Sequence, residues 1–280
     1  MESEKRKKEL ESLLESYAEG GRDICLAFSG GVDSSLLLKA GAEAAGRHGS
    51  RIYAVTFDTR LHPSCDLQVA ERVAGELGGD FHVISVDELE QEELKNNPVN
   101  RCYLCKRHLF STLKEFAEQR GISTVLDGTN EDDLHVYRPG IQALKELGIV
   151  SPLAMLHMTK KEVKELAAAY GISVASRPST PCMATRLPYN TQIDYEILEK
   201  IEKGEAYLRS LLGDQANIRL RLHGETARLE IDPERFPSLL AARAQVAGFL
   251  KQLGFRYITL DLEGFRSGSM DICPQLDAIL

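Results

Sequence analysis

The run Ser29-Gly30-Gly31-Val32-Asp33-Ser34 joins an apolar stretch, Ile24 to Phe28, to an apolar-periodic segment opening at Asp33. Two glycines let an anion approach the backbone because no Cβ intervenes. Where such a turn opens a helix, unpaired N–H groups and the helix dipole add to the attraction for phosphate. Ser29 and Ser34 contribute hydroxyls, and Asp33 is a carboxylate of the kind that holds Mg2+ beside phosphates. The lysine of a GxxxxGK(S/T) loop is missing, so this is not a kinase-type P-loop. A second reactive group is Cys102-Tyr-Leu-Cys105, with Cys182 further along. CxxC reads as a redox pair, as half a zinc site or as chance. Zinc needs four ligands, and no second CxxC or HxxxH completes the set. Three thiolates suit a 4Fe–4S cluster with one open iron; on spacing alone an inert trio is as good a reading. Arg219 and Arg221, two apart in Ile-Arg-Leu-Arg-Leu, share one strand face. They form either a bidentate clamp for phosphate or carboxylate or the wet side of a half-exposed strand.

These residues need a frame, and the chain supplies one by alternation. Strands are expected at Ile24–Phe28, Ile52–Phe57, Phe81–Val86 and Thr124–Leu126, with a short fifth at Ile149–Leu153. Helices are expected over about 66–77, 102–119 and 159–170, the last with Thr159 as N-cap and Gly171 at C′. The pattern predicts an α/β fold with a parallel doubly wound sheet and ligands at the carboxyl ends of its strands. The glycine turn falls at such an end, and so does Asp127-Gly128-Thr129-Asn130 after the fourth strand. Asp127 either assists the metal or caps the next segment. Residues 1–175 make this domain. Residues 176–190, with Pro178, Pro181 and Pro188 and no periodicity, form an active-site loop or linker. Residues 191–280 make a smaller α+β domain: a helix at about 194–212, a hairpin (218–222 and 227–231), another helix and a strand near 257–262.

Of 280 residues, 43% are hydrophobic and 27% charged, and the net charge is −8. That balance disfavours nucleic acid as a partner. No apolar run reaches membrane-spanning length, and the first ten residues lack a signal h-region. The expectation is a cytoplasmic enzyme whose six cysteines are mostly reduced. Cys25 in the first strand, Cys65 in a Pro-Ser-Cys-Asp turn and Cys273 near the end are read as structural or incidental.

The loop at 29–34 resembles that of the N-type ATP pyrophosphatases, the PP-loop proteins with an adenine nucleotide alpha hydrolase-like fold. Together with LDGTNEDD (126–133), YRPG (137–140), STPCMATRLPY (179–189), IRLRLHGETARLEI (218–231) and LGFRYITLDLEGFRSG (253–268), it is similar to the LarE family. These are pyridinium-3,5-biscarboxylic acid mononucleotide sulfurtransferases, and the likeness runs from about Val32 to Gly268.

The resemblance implies that ATP adenylates a substrate carboxylate with loss of pyrophosphate. Sulfur then attacks the acyl adenylate and AMP leaves, on the way to a nickel-pincer nucleotide cofactor. It implies ATP and Mg2+ at Ser29, Gly30, Gly31, Asp33, Ser34, Asp127 and Gly128. Substrate contacts fall to Thr185, Arg186, Glu205, Arg219 and Arg221. Some members sacrifice the sulfur of the cysteine matching Cys182. Others carry two more cysteines, here Cys102 and Cys105, and resemble enzymes whose 4Fe–4S cluster presents a sulfide. A sulfide source and a homo-oligomer are implied as well. Arg256 and Arg266 are further candidates, though Arg266 serves equally to hold a turn, and YRPG is either a turn or a subunit contact. Two other classes share the motifs: a cluster-dependent tRNA thiolase and a non-catalytic nucleotide-binding or redox-sensing protein.

Overall fold

The computed structural model describes residues 2–136, 138–175, 181–266 and 268–270. Cys273, Tyr137 and the 176–180 part of the expected loop lie outside these. The chain forms two compact units that interleave in sequence. The first comprises 1–60, 64–90 and 100–179, the second 61–63, 91–99 and 180–280.

In chain order the first unit contains α1 (Glu2–Ala18), β1 (Ile24–Ala27), α2 (Val32–Arg47), β2 (Ile52–Thr59), α3 (Ser64–Leu77) and β3 (Asp80–Val86). It continues with α4 (Arg101–Glu118), β4 (Thr124–Leu126), α5 (Gly140–Glu146), α6 (Pro152–Met155) and α7 (Lys160–Ala169). The four strands are parallel in the order β3-β2-β1-β4. Period-two alternation covers both faces of the sheet. Ile24, Leu26, Ile52, Ala54 and Leu126 pack with Leu10, Leu36, Ala70, Val73 and Val163 from α1, α2, α3 and α7. Cys25, Val55 and Val125 pack with Leu109, Leu113 and Leu144 from α4 and α5. The strand order reverses beside β1, between β2 and β4, so the crevice of this fold opens where β1 and β4 end.

Two local expectations need correction. The fifth strand at 149–153 is reduced to a single parallel bridge, Val150 to Leu126. Pro152 lacks an N–H and has its φ preset for a first helical turn, so the chain enters α6 instead. Cys65 lies in the first turn of α3, not in a free turn; Asp66 in that turn complements the helix dipole.

The second unit contains α8 (Tyr195–Leu212), β5 (Ile218–His223), β6 (Thr226–Ile231), α9 (Phe236–Ala241), α10 (Arg243–Gln252) and β7 (Tyr257–Leu260). β5 and β6 pair antiparallel, and β7 joins β6 in parallel. Two helices stand where one was expected after the hairpin. Among the described residues no helix is long and apolar enough to cross a membrane.

Candidate functional site

The glycine turn is built as a tight cradle. Gly30 has φ +66, and a Cβ on it would come within 2.9 Å of Ala70 Cα, so both backbone and space demand glycine. Gly31 caps α2 with extended backbone. The Gly31 N–H donates to Ser29 Oγ (3.3 Å), the Ser29 N–H to Ser34 Oγ (3.3 Å), and Ser34 Oγ–H to the Gly31 carbonyl (3.2 Å). Gly128 lies directly against this turn: a Cβ there would stand 3.2 Å from Ser34 N and 3.3 Å from Asp33 Cβ. The β1 and β4 ends thus meet, as the switch point of the sheet requires.

Asp33 sits in the first turn of α2 with both carboxylate oxygens engaged. Asn130 Nδ2 donates to Oδ1 (3.0 Å), and the Lys160 ammonium contacts Oδ2. Lys160 is the first residue of α7, and its N–H donates to Asp132 Oδ2 (2.9 Å). The sequence reading passed over this lysine. Its only local signal was its place one residue after a clear N-cap. Asp127 is buried and accepts Thr129 Oγ1 (2.5 Å) on one oxygen and Ser151 Oγ on the other. In this state it braces the turn that carries Asn130.

Cys102 and Cys105 stand three apart near the start of α4 in the first unit, so they share one helix side. The buried Arg101 directs Nη2 to Cys102 Sγ at 3.5 Å. Cys182 belongs to the second unit and precedes a 3-10 turn, Met183–Arg186. Its carbonyl accepts Thr185 Oγ1 at 2.8 Å. All three cysteines are half-buried. Among the described residues no group of three or more His, Cys, Asp or Glu side chains stands assembled to hold a metal ion. Cys25 is different: burial pushes its thiol up to about 12, which leaves it inert at neutral pH.

The five expected substrate residues come together in the second unit. Arg186, fully buried, grips Glu205 bidentately, with Nε to Oε1 and Nη2 to Oε2 both at 2.9 Å. Glu205 also accepts Arg209 Nη2 (3.2 Å) and the Leu220 N–H (3.0 Å), tying α8 to β5. Burial pushes Glu205 up, but Arg186 outweighs it and holds the carboxyl below its usual range. Arg221 donates from Nε to Glu230 Oε1 (2.7 Å) and from Nη1 to the Thr185 carbonyl (2.6 Å). Arg219 lies over the Phe265 ring, and its Nη1 donates to the Ile218 carbonyl (2.7 Å). Burial, together with Arg186, lowers its guanidinium to about 10. The register sets Arg221 opposite Arg228 and Arg219 opposite Glu230. Arg228 shares Glu230 Oε1 at 2.7 Å and also meets Asp261 Oδ2 at 3.7 Å. The sequence reading missed Arg209, Arg228 and Glu230. Five arginines gather around two buried glutamates, so the cluster carries excess positive charge that an anionic ligand would relieve.

Comparison with known proteins fits this geometry. A PP-loop domain model matches residues 2–136. A pyridinium-3,5-bisthiocarboxylic acid mononucleotide synthase of Lactiplantibacillus plantarum is 34% identical over 89% of this chain and 88% of its own. The chain belongs to the LarE family of PP-loop proteins. An uncharacterized Synechocystis protein is 37% identical over 94% of this chain and 96% of its own. A tRNA-specific 2-thiouridylase of Geotalea uraniireducens is 28% identical over 74% of this chain and 64% of its own.

Proposed function

We propose that this chain is an ATP-dependent sulfurtransferase acting on pyridinium-3,5-biscarboxylic acid mononucleotide. Residues 1–175 handle ATP, residues 176–190 supply Cys182, and residues 191–280 hold the substrate. The observation that carries this reading is the arginine cluster around Glu205 and Glu230, an anion site in a family whose named relative makes a phosphorylated pyridinium product.

The substrate phosphate sits at Arg219 and Arg221, framed by Thr185 and the Arg186–Glu205 pair. A substrate carboxylate oxygen attacks the α-phosphorus of ATP, and the bond to the bridging oxygen breaks, releasing pyrophosphate. The turn at Ser29–Ser34 receives that pyrophosphate on backbone N–H groups. Asp33 shares Mg2+ with the phosphates, while Lys160 moves its ammonium from Asp33 onto them and so supplies the cation the loop lacks. Sulfur then attacks the acyl carbon and the C–O bond to AMP breaks, leaving a thiocarboxylate and AMP; sulfur is a far better nucleophile here than water. A 4Fe–4S cluster on Cys102, Cys105 and Cys182 would supply sulfide at its open iron. The presence of three cysteines at these positions and the resemblance support that assignment. Homo-oligomerisation is part of the same proposal and is supported by the resemblance alone.

Exchange of labelled pyrophosphate into ATP tests adenylation without any sulfur donor. Exchange should require the biscarboxylate nucleotide and vanish in Asp33→Ala with the fold intact. Exchange without the nucleotide, or a wild-type rate in Asp33→Ala, would overturn the assignment.

A further inference from the structure

Lys160 reaches the phosphate turn from α7, and α7 is held at its start by a residue of α1. Arg6 Nε donates to Glu162 Oε1 (2.8 Å), Nη1 to the Leu156 carbonyl (3.1 Å) and Nη2 to the His157 carbonyl (3.2 Å). Nη1 also meets Glu9 Oε2 on α1 itself (3.1 Å). Three of these four partners flank the α6–α7 turn. That turn carries His157 at φ +51, a left-handed conformation that a residue with a Cβ adopts only when its surroundings enforce it. Immediately after it comes a capping box. Glu162 Oε2 accepts the Thr159 N–H and Oγ1 (both 2.8 Å), while the Glu162 N–H donates back to Thr159 Oγ1 (3.3 Å). Lys160 lies inside this box, with its N–H on Asp132 and its ammonium on Asp33. One planar guanidinium therefore clamps two carbonyls at the turn and the carboxylate that closes the cap. A lysine, a point charge on a flexible stem, cannot span that set.

We infer that Arg6 is a positioning residue for the ATP reaction, holding the α6–α7 turn so that Lys160 meets the pyrophosphate at the glycine turn. The inference rests on the reading of Lys160 given above, and the two can fail separately. The test measures the Kd of Mg–ATP by calorimetry for wild type, Arg6→Ala, Lys160→Ala and the double variant. Arg6→Ala should weaken binding about three- to tenfold, and should add nothing once Lys160 is gone, as expected of residues acting through one another. Arg6→Lys should recover only part of the loss. Tyr170→Phe, which removes a different tie to α1 (Tyr170 Oη to Glu11 Oε1, 2.8 Å), should leave ATP binding unchanged. Wild-type affinity in Arg6→Ala overturns the inference, and so does an equal loss with and without Lys160. Wild-type affinity in Lys160→Ala overturns the reading of the lysine itself. If Arg6→Ala fails to fold, Arg6→Lys and Glu162→Gln carry the same cycle, with the same outcomes deciding.

Discussion

Arg219 and Arg221 show how a side chain's environment divides its work. Arg221 is committed on two sides, to Glu230 and to the Thr185 carbonyl. Arg219 is buried and crowded by like charges, which together lower its guanidinium to about 10. A phosphate reverses that crowding, so each arginine should matter to the nucleotide and little to ATP. Arg219→Ala and Arg221→Ala should each lose about 1.5–3 kcal/mol of nucleotide binding, the range for charge-assisted hydrogen bonds. Titration calorimetry with the nucleotide and with ATP separates the two, and normal nucleotide binding by both variants would reduce the pair to buried structural contacts. The pair itself was legible, because a strand's two-residue period is written in local spacing. Their partners Arg228 and Glu230 were not: opposition across a hairpin depends on register, which spacing within one strand does not contain. Lys160 was hidden for a related reason, since its meeting with Asp33 joins α7 to α2.

Among the elements, those with local punctuation were the most readable. Thr159 and Gly171 bracket α7 as expected, because a capping box and a left-handed C′ glycine are short-range chemistry. Val150 misled because a brief apolar run reads alike whether it becomes a strand or one bridge before Pro152. The short 3-10 segment Glu88–Glu90 after β3 hides a different feature, a glutamate with no exposed surface. Burial pushes the Glu88 carboxyl from 4.5 up to about 7. The folded state therefore keeps its proton to higher pH than the unfolded chain does. The stability this gives is complete below about pH 4.5 and is lost as pH rises through about 7. Glu88→Gln should remove that slope and raise the melting temperature at pH 8 relative to wild type. Melting curves from pH 5 to 8 read it directly, and parallel curves for the two proteins would show that Glu88 does not titrate in this interval.

The whole molecule poses the sulfur question, because Cys102 and Cys105 belong to one unit and Cys182 to the other. If the three share a cluster, anaerobically prepared protein supplied with sulfide turns over repeatedly and Cys182 keeps its mass. Cys102→Ala or Cys105→Ala then removes brown absorbance and repeated turnover together. If Cys182 is sacrificed, each chain makes one transfer and that residue loses about 34 Da, the mass of one hydrogen sulfide; iron analysis and intact mass after one cycle decide. The interleaving of the units has another consequence, for the chain as it leaves the ribosome. Residues 61–63 and 91–99 emerge early, yet their partners come much later. The Leu61 carbonyl awaits the Met183 N–H (2.7 Å), and Asn97 Nδ2 awaits the Pro188 carbonyl (2.8 Å). Synthesis from the N-terminus thus completes the parallel sheet while two short segments of the second unit still wait for the remainder of their fold. A gene cut near codon 180 would keep the first unit whole and leave the second without residues 61–63 and 91–99.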